Sequence, residues 1–222
     1  MTKESNRRRL LAGICLVVLA LLFATNPVTG VVLRGMSSSV TRIAMTGFIA
    51  PVQMALFIGA IVGITQLLRR RADRAGLAGA ALALMGWAVG IRILALGQLE
   101  SLLTLGVAGV PADTLDKMFT AAPIVWLSIV PLGLLFPIGL ITLGIALCAA
   151  GPVNRWIGAL LALGGILFPV GRAIRLEWAL TACDLVLGAS FALIGWQILT
   201  RRELWGSADA APTSCIGDGV HG

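Results

Sequence analysis

The residues able to do chemistry in this chain crowd into one stretch, Pro169 to Asp184, PVGRAIRLEWALTACD. Arg172, Arg175, Glu177 and Asp184 stand there among almost entirely apolar neighbours. Ionisable groups in such surroundings are costly and normally face protein or water rather than lipid. Arg92 and Glu100, toward the end of an earlier apolar run, and Gln53, inside another, sit at a similar depth. Two uses of this cluster compete. The planar fork of arginine binds carboxylate and phosphate bidentately, which suits a pocket for an anionic headgroup or a small solute. Against that, three arginines face three carboxylates, which leaves no surplus positive charge and favours an internal ion-pair network. Asp184 is expected to pair with Arg172, Arg175 or Arg92, because a lone carboxylate at that depth would be expensive or would take up a proton.

The remaining chemistry is sparse. His221 is the only histidine and stands near the end of the chain, which removes bis-His haem ligation, HExxH zinc hydrolysis and a His-based triad. GMSSSV at 35–40 offers serines without a GxSxG turn or an evident base. Cys15, Cys148, Cys183 and Cys215 show neither a CxxC nor metal-ligand spacing and read as small apolar residues. No cofactor, metal or catalytic residue is expected. An intramembrane enzyme working through a carboxylate or a cysteine is the weakest of the alternatives.

The elements that hold the cluster are apolar. The 222 residues are 58% hydrophobic and 12% charged, with a mean hydropathy of +0.97. A soluble domain carries about 25% charged residues. At least five apolar runs approach or exceed the ~20 residues that cross a bilayer core. The fold class is therefore all-α: a polytopic transmembrane bundle. Six helices are expected, at about 10–33, 46–68, 75–96, 121–150, 156–175 and 178–200. The sixth would put Glu177, Thr181, Asp184 and Gly188 on one face if it already covers Glu177. Residues 1–9 read as a basic tail and 201–222 as a small-residue tail without fixed structure.

Punctuation between the helices follows the usual breakers. Asn26-Pro27 should break or kink the first helix, which reads as retained rather than as a cleaved signal. Residues 34–45 read as a polar loop, and Gly97 as the stop of the third helix. Residues 111–119, PADTLDKMF, suggest a short interfacial helix in the long connection at 97–120. The fourth helix, with Pro123, Pro131 and Pro137, should be kinked or tilted. Gly59-x-x-x-Gly63 and Gly86-x-x-x-Gly90 are small-xxx-small patterns that let helices approach closely.

Charge sets the expected orientation. Eleven Lys and Arg fall on one side of the expected spans and six on the other. That places both termini in the cytoplasm of a cell membrane, a bacterial-type inner membrane if the source is bacterial. Trp156, Trp196 and Trp205 would form a belt on that side, and Trp126 and Trp178 the opposite one. The net charge of +7 therefore serves topology and anionic headgroups, not nucleic acid, for which no aromatic-interleaved basic face exists. Gly79–Gly86, GAALALMG, and Gly158–Gly165, GALLALGG, match at six of eight positions, which suggests repeated helical hairpins. The expected partners are membrane lipids, with a second protein or further copies of the chain. The leading function is a non-enzymatic subunit or scaffold of a membrane complex. The alternative is a solute or headgroup binder or transporter built on the charged cluster.

Overall fold

A computed structural model describes residues 3–35, 39–69, 72–104, 131–174 and 177–201, with side chains placed over 3–26, 49, 51–69, 72, 74–90, 131–171 and 178–201. Among these residues there are six α-helices and no strand: α1 (Lys3–Gly35), α2 (Ser39–Leu68), α3 (Asp73–Thr104), α4 (Leu135–Ala150), α5 (Arg155–Ile174) and α6 (Glu177–Thr200). Four stretches are long and apolar enough to cross a membrane: Lys3–Asn26, Pro51–Leu68, Pro131–Ala150 and Trp178–Thr200. Arg74–Gly90 and Arg155–Gly171, in α3 and α5, are shorter apolar segments. Helices suit such a sequence, because each satisfies its own backbone where no water is available to do so.

Several helices run further than the breakers suggested. α1 starts at Lys3, so residues expected as a basic tail form its first turns, and it continues through Pro27 to Gly35. A proline removes one donor, which is too little to end a helix whose other groups have no better partner. α2 begins at Ser39, so the loop expected over 34–45 is helical at 34–35 and 39–45. Polarity alone does not stop a helix, and no Gly or Pro intervenes from 39 to 45 except at its flanks. α3 passes Gly97 and ends at Thr104, so Gly97 is not its stop. An interior glycine costs only about 1 kcal/mol relative to alanine. The expected interfacial helix at 111–119, Pro123, Trp126, Trp205, Cys215 and the end of the chain lie outside the described residues.

Where a breaker does act, its mechanism is visible. Residues 131–133 are helical, Leu134 is a turn, and α4 proper starts at Leu135. Pro137, in the first turn of α4, has no N–H for the carbonyl of Gly133, and the interruption falls there. At its other end α4 stops at Gly151, whose φ of 64° is left-handed and whose N–H donates to Leu147 O at 3.1 Å. Asn154 then caps α5, its Oδ1 accepting from Trp156 N–H at 3.2 Å.

The six helices form a closed antiparallel ring. Each packs on its neighbours in sequence, and α6 packs on α1. Gly63 of α2 meets Ala12 of α1, Gly76 of α3 meets Leu68 of α2, Gly171 of α5 meets Ala179 of α6, and Gly13 of α1 meets Leu199 of α6. Of the two seams on α4, that with α3 is the tightest in the ring. A Cβ built on Gly86 would lie 2.0 Å from the backbone nitrogen of Phe136, and one on Gly139 would lie 2.2 Å from that of Ala83. Here backbone touches backbone, and only glycine permits it. α5 meets α4 from the other side through Gly158 and Gly165. The two similar octapeptides therefore both turn toward α4. Rotation of one hairpin onto the next would instead turn the second copy toward α6.

Every helix sends one aromatic ring to the middle of the bundle: Phe23, Phe57, Trp87, Phe136, Phe168 and Phe191, in order from α1 to α6. Centroid separations run from 4.6 Å (Phe136–Phe168) to 6.3 Å (Phe23–Trp87 and Phe57–Phe191). Phe57 and Phe191 are fully buried. Across the interior the rings make one continuous aromatic layer.

Candidate functional site

The helix ends define two ends of the ring. At the end where α1, α3 and α5 begin, Lys3, Arg7, Arg8, Arg69, Arg74, Arg155 and Arg201 are exposed. Arg8 donates to Glu4 one turn before it, the one salt bridge among the described residues. Trp156 and Trp196 lie out on the surface toward this basic end, and Trp178 toward the other. Arg9 behaves differently from its neighbours. It is 3% exposed, and its guanidinium donates to Asn6 Oδ1 at 3.0 Å and to Leu199 O at 3.4 Å. It thereby answers a carbonyl in the last turn of α6, where positive charge is favourable. Its Nε is buried without a partner, as is Oε1 of Gln197.

The candidate cluster lies beyond the aromatic layer, toward the opposite end. On α1 the buried stripe Ala12, Leu16, Leu19 and Phe23 continues one turn on to Asn26. On α2 the stripe of Phe57, Ile61, Ile64 and Leu68 is extended by Gln53, and on α6 that of Leu187, Phe191, Ile194 and Ile198 by Asp184. These three polar side chains meet. Asn26 Nδ2 donates to Asp184 Oδ2 at 3.3 Å, and Gln53 Nε2 donates to Asn26 Oδ1 at 3.3 Å. The chain of bonds ties α2 to α1 to α6.

The other members of the cluster separate by register. Arg172 follows Leu161 by eleven residues, about three turns, so its place on α5 continues the inward stripe one turn past Phe168. Arg92 follows Ala83 by nine residues, about two and a half turns, which is the opposite side of α3 from its buried face. α6 does begin at Glu177 and so covers Glu177, Thr181, Asp184 and Gly188. At about 1.5 Å per residue, however, Glu177 and Glu100 stand roughly 20 Å beyond the aromatic layer, against about 4–10 Å for Asn26, Gln53, Arg172 and Asp184. Arg175 and the side chains of Arg92, Glu100, Arg172 and Glu177 lie outside the described residues. So the arginine pairing expected for Asp184 falls on those residues too.

Asn26 is the member that sequence reasoning missed. Its place before Pro27 made it look like punctuation, yet a polar residue spaced with Phe23 and Leu19 on one stripe was the available signal. The glycines also divide. Gly59 faces Cys15, with a Cβ contact of 2.7 Å to Sγ, and Gly63 and Gly86 meet α1 and α4, while Gly90 has nothing within 4 Å among the described residues. Among the described residues no three His, Cys, Asp or Glu come together as a metal-holding group. Cys183 is buried with its Sγ 3.9 Å from Gly164 O, and Cys148 Sγ donates to Arg155 O at 3.1 Å. Comparison with known families, characterised proteins and solved structures finds no match.

Proposed function

We propose that this chain is a multi-pass protein of the cell membrane that crosses it six times with both termini in the cytoplasm and serves as a non-enzymatic subunit or scaffold of a membrane complex. The observation that carries the reading is the aromatic layer. Rings from all six helices fill the interior, so a single copy works through its outer faces, which are rich in exposed Leu, Ile and Val. The basic end supplies the positive charge that the cytoplasmic side retains. Purification in mild detergent followed by native mass spectrometry tests it: a stoichiometric polypeptide partner or a defined homo-oligomer is expected. A monomer that retains a lipid or metabolite instead would overturn it. Labelling of a cysteine placed at residue 115 tests the orientation, and a cytoplasmic result there would reverse it.

A second reading, a binder of a small solute or lipid headgroup, rests on the Gln53–Asn26–Asp184 chain at one end of the interior. Polar groups held that deep in an apolar bundle are by default a site. Arg172, at the same level, would pair with Asp184 and with any acidic group that enters.

A further inference from the structure

We infer that the outer face of α6 is covered by lipid, held at its two ends by Trp178 and Trp196 in a bilayer with a hydrocarbon core of about 27 Å, an assignment that rests on the membrane reading above and leaves a protein partner to the other sides of the ring. Trp178 and Trp196 are 18 residues apart, which is about five turns of an α-helix. They therefore stand on one side of α6, about 27 Å apart along its axis at 1.5 Å per residue. A hydrocarbon core is typically about 30 Å thick. Tryptophan concentrates at its two boundaries, where the ring lies in apolar surroundings and the N–H reaches water. Trp178 is 69% exposed and Trp196 is 65% exposed.

The seams of α6 fix which way that side faces. Toward α1 the helix turns Gly188, against Ala20 O and Phe23, and Gly195, against Leu16. Toward α5 it turns Ala179, against Gly171, and Leu187, against Gly164. Phe191, Ile194 and Ile198 are buried inside the ring. The tryptophans lie on the one side left, with exposed Leu185, Ala189 and Leu193 between them. The glycines that would let another helix come close are already used by α1. Register with α5 adds a third ring. Leu187 is level with Gly164 and Ala179 with Gly171, so Trp156, 80% exposed, comes level with Gly195 and within one residue of Trp196. Arg155, beside Trp156, and Arg201, beyond Trp196, are exposed at the same end and complement the phosphates of lipid headgroups. The point midway between Trp178 and Trp196 is Leu187. Asp184 and its bond to Asn26 then lie about 4–5 Å from the bilayer midplane, and Phe191 about 6 Å from it on the basic side.

Depth-resolved fluorescence quenching of the full chain tests this. Variants that keep Trp178 or Trp196 as the one tryptophan, with phenylalanine at the others, are reconstituted into phosphatidylcholine bilayers. The lipid is brominated either near the headgroup or near the chain ends. Each indole should be quenched about twofold more strongly by the shallow bromines. Ala189→Trp, in a chain without the native tryptophans, should show the reverse order. Stronger quenching of either native tryptophan by the deep bromines overturns the placement. An Ala189→Trp indole that neither lipid quenches means that another helix covers the face, which overturns the lipid assignment. If the chain with Trp87→Phe does not elute as a folded species, the native chain gives the same reading by difference: quenching lost with Trp178→Phe or Trp196→Phe, and gained with Ala189→Trp. Tm in phosphatidylcholines of increasing chain length should peak near a core of about 27 Å, and a Tm that keeps rising in thicker bilayers overturns the thickness. Native mass spectrometry judges the subunit reading separately. Quenching as expected with no partner and no oligomer sinks that reading alone, and a partner together with an unquenched Ala189→Trp sinks the lipid face alone.

Discussion

Gly86 and Gly90 belong to one small-xxx-small pattern, and the structure assigns them opposite responses to the same substitution. A Cβ at Gly86 would sit 2.0 Å from Phe136 N and 2.6 Å from its Cα, where ordinary contact begins at 3.4 Å. The obstacle is backbone, so α4 itself must retreat by more than an ångström. Overpacking of this kind costs about 1–3 kcal/mol. Phe136 moves with that backbone, and its ring lies 5.0 Å from Trp87, 5.6 Å from Phe57 and 4.6 Å from Phe168. Each such pair is worth about 0.5–1.5 kcal/mol, so loosening them adds to the loss. Alanine returns about 1 kcal/mol through helix propensity. The net expectation for Gly86→Ala is a loss of about 2–3 kcal/mol, or a Tm lower by roughly 5–10 °C. At Gly90 only the propensity remains, because among the described residues nothing lies within 4 Å of a new Cβ. Gly90→Ala should leave Tm unchanged or raise it by a few degrees. Thermal unfolding of the detergent-purified variants, followed by size-exclusion chromatography after heating, measures both. A Gly86→Ala protein as stable as the native chain would refute the α3–α4 geometry, and so would a Gly90→Ala protein that falls equally far.

Two further expectations follow from the ends of the ring. Asp184→Asn should lower thermal stability, by roughly 3–5 kcal/mol if a buried arginine is stranded, and Arg172→Gln added to it should recover part of the loss; no recovery in the double variant would separate the two residues. Arg9→Met keeps the apolar stem but removes the donors to Leu199 O and Asn6 Oδ1, so a loss of about 1.5–3 kcal/mol is expected, with faster amide exchange in the last turn of α6; unchanged exchange there would show that Arg9 does not hold that helix end.

The membrane-helix class was legible because long apolar runs leave no other economical architecture, and Asp184 and Gln53 were legible as polar groups with no reason to face lipid. Their shared partner was not. Asn26 and Asp184 are far apart in the chain, and only the closure of α6 on α1 brings them together. Local punctuation misled for a related reason. Gly97 is a breaker in water, where an opened helix finds new hydrogen bonds, but an apolar bundle offers none. Pro137 interrupts its run because it has no N–H to give to the carbonyl of Gly133. The aromatic layer could not be read at all. One aromatic per helix is ordinary composition, and common height depends on where each helix starts and on how its neighbours slide. The paired glycines likewise look identical until a neighbour is placed beside each.

The seam between α1 and α6 has a consequence for the order of assembly. During synthesis the first helix emerges long before the last, and the face of α1 that bears Gly13, Leu16 and Ala20 has no other helix to meet. Until residues 177–200 are made, that face is an unclosed edge, visible to chaperones and to quality-control proteases. A chain cut short before α6 is therefore marked as unfinished at its very beginning. Conversely, Lys3 and Arg201 finish at the same end of the ring, so new termini could be opened between α4 and α5, at residues 151–154, and the old ones joined by a short linker, leaving every seam intact.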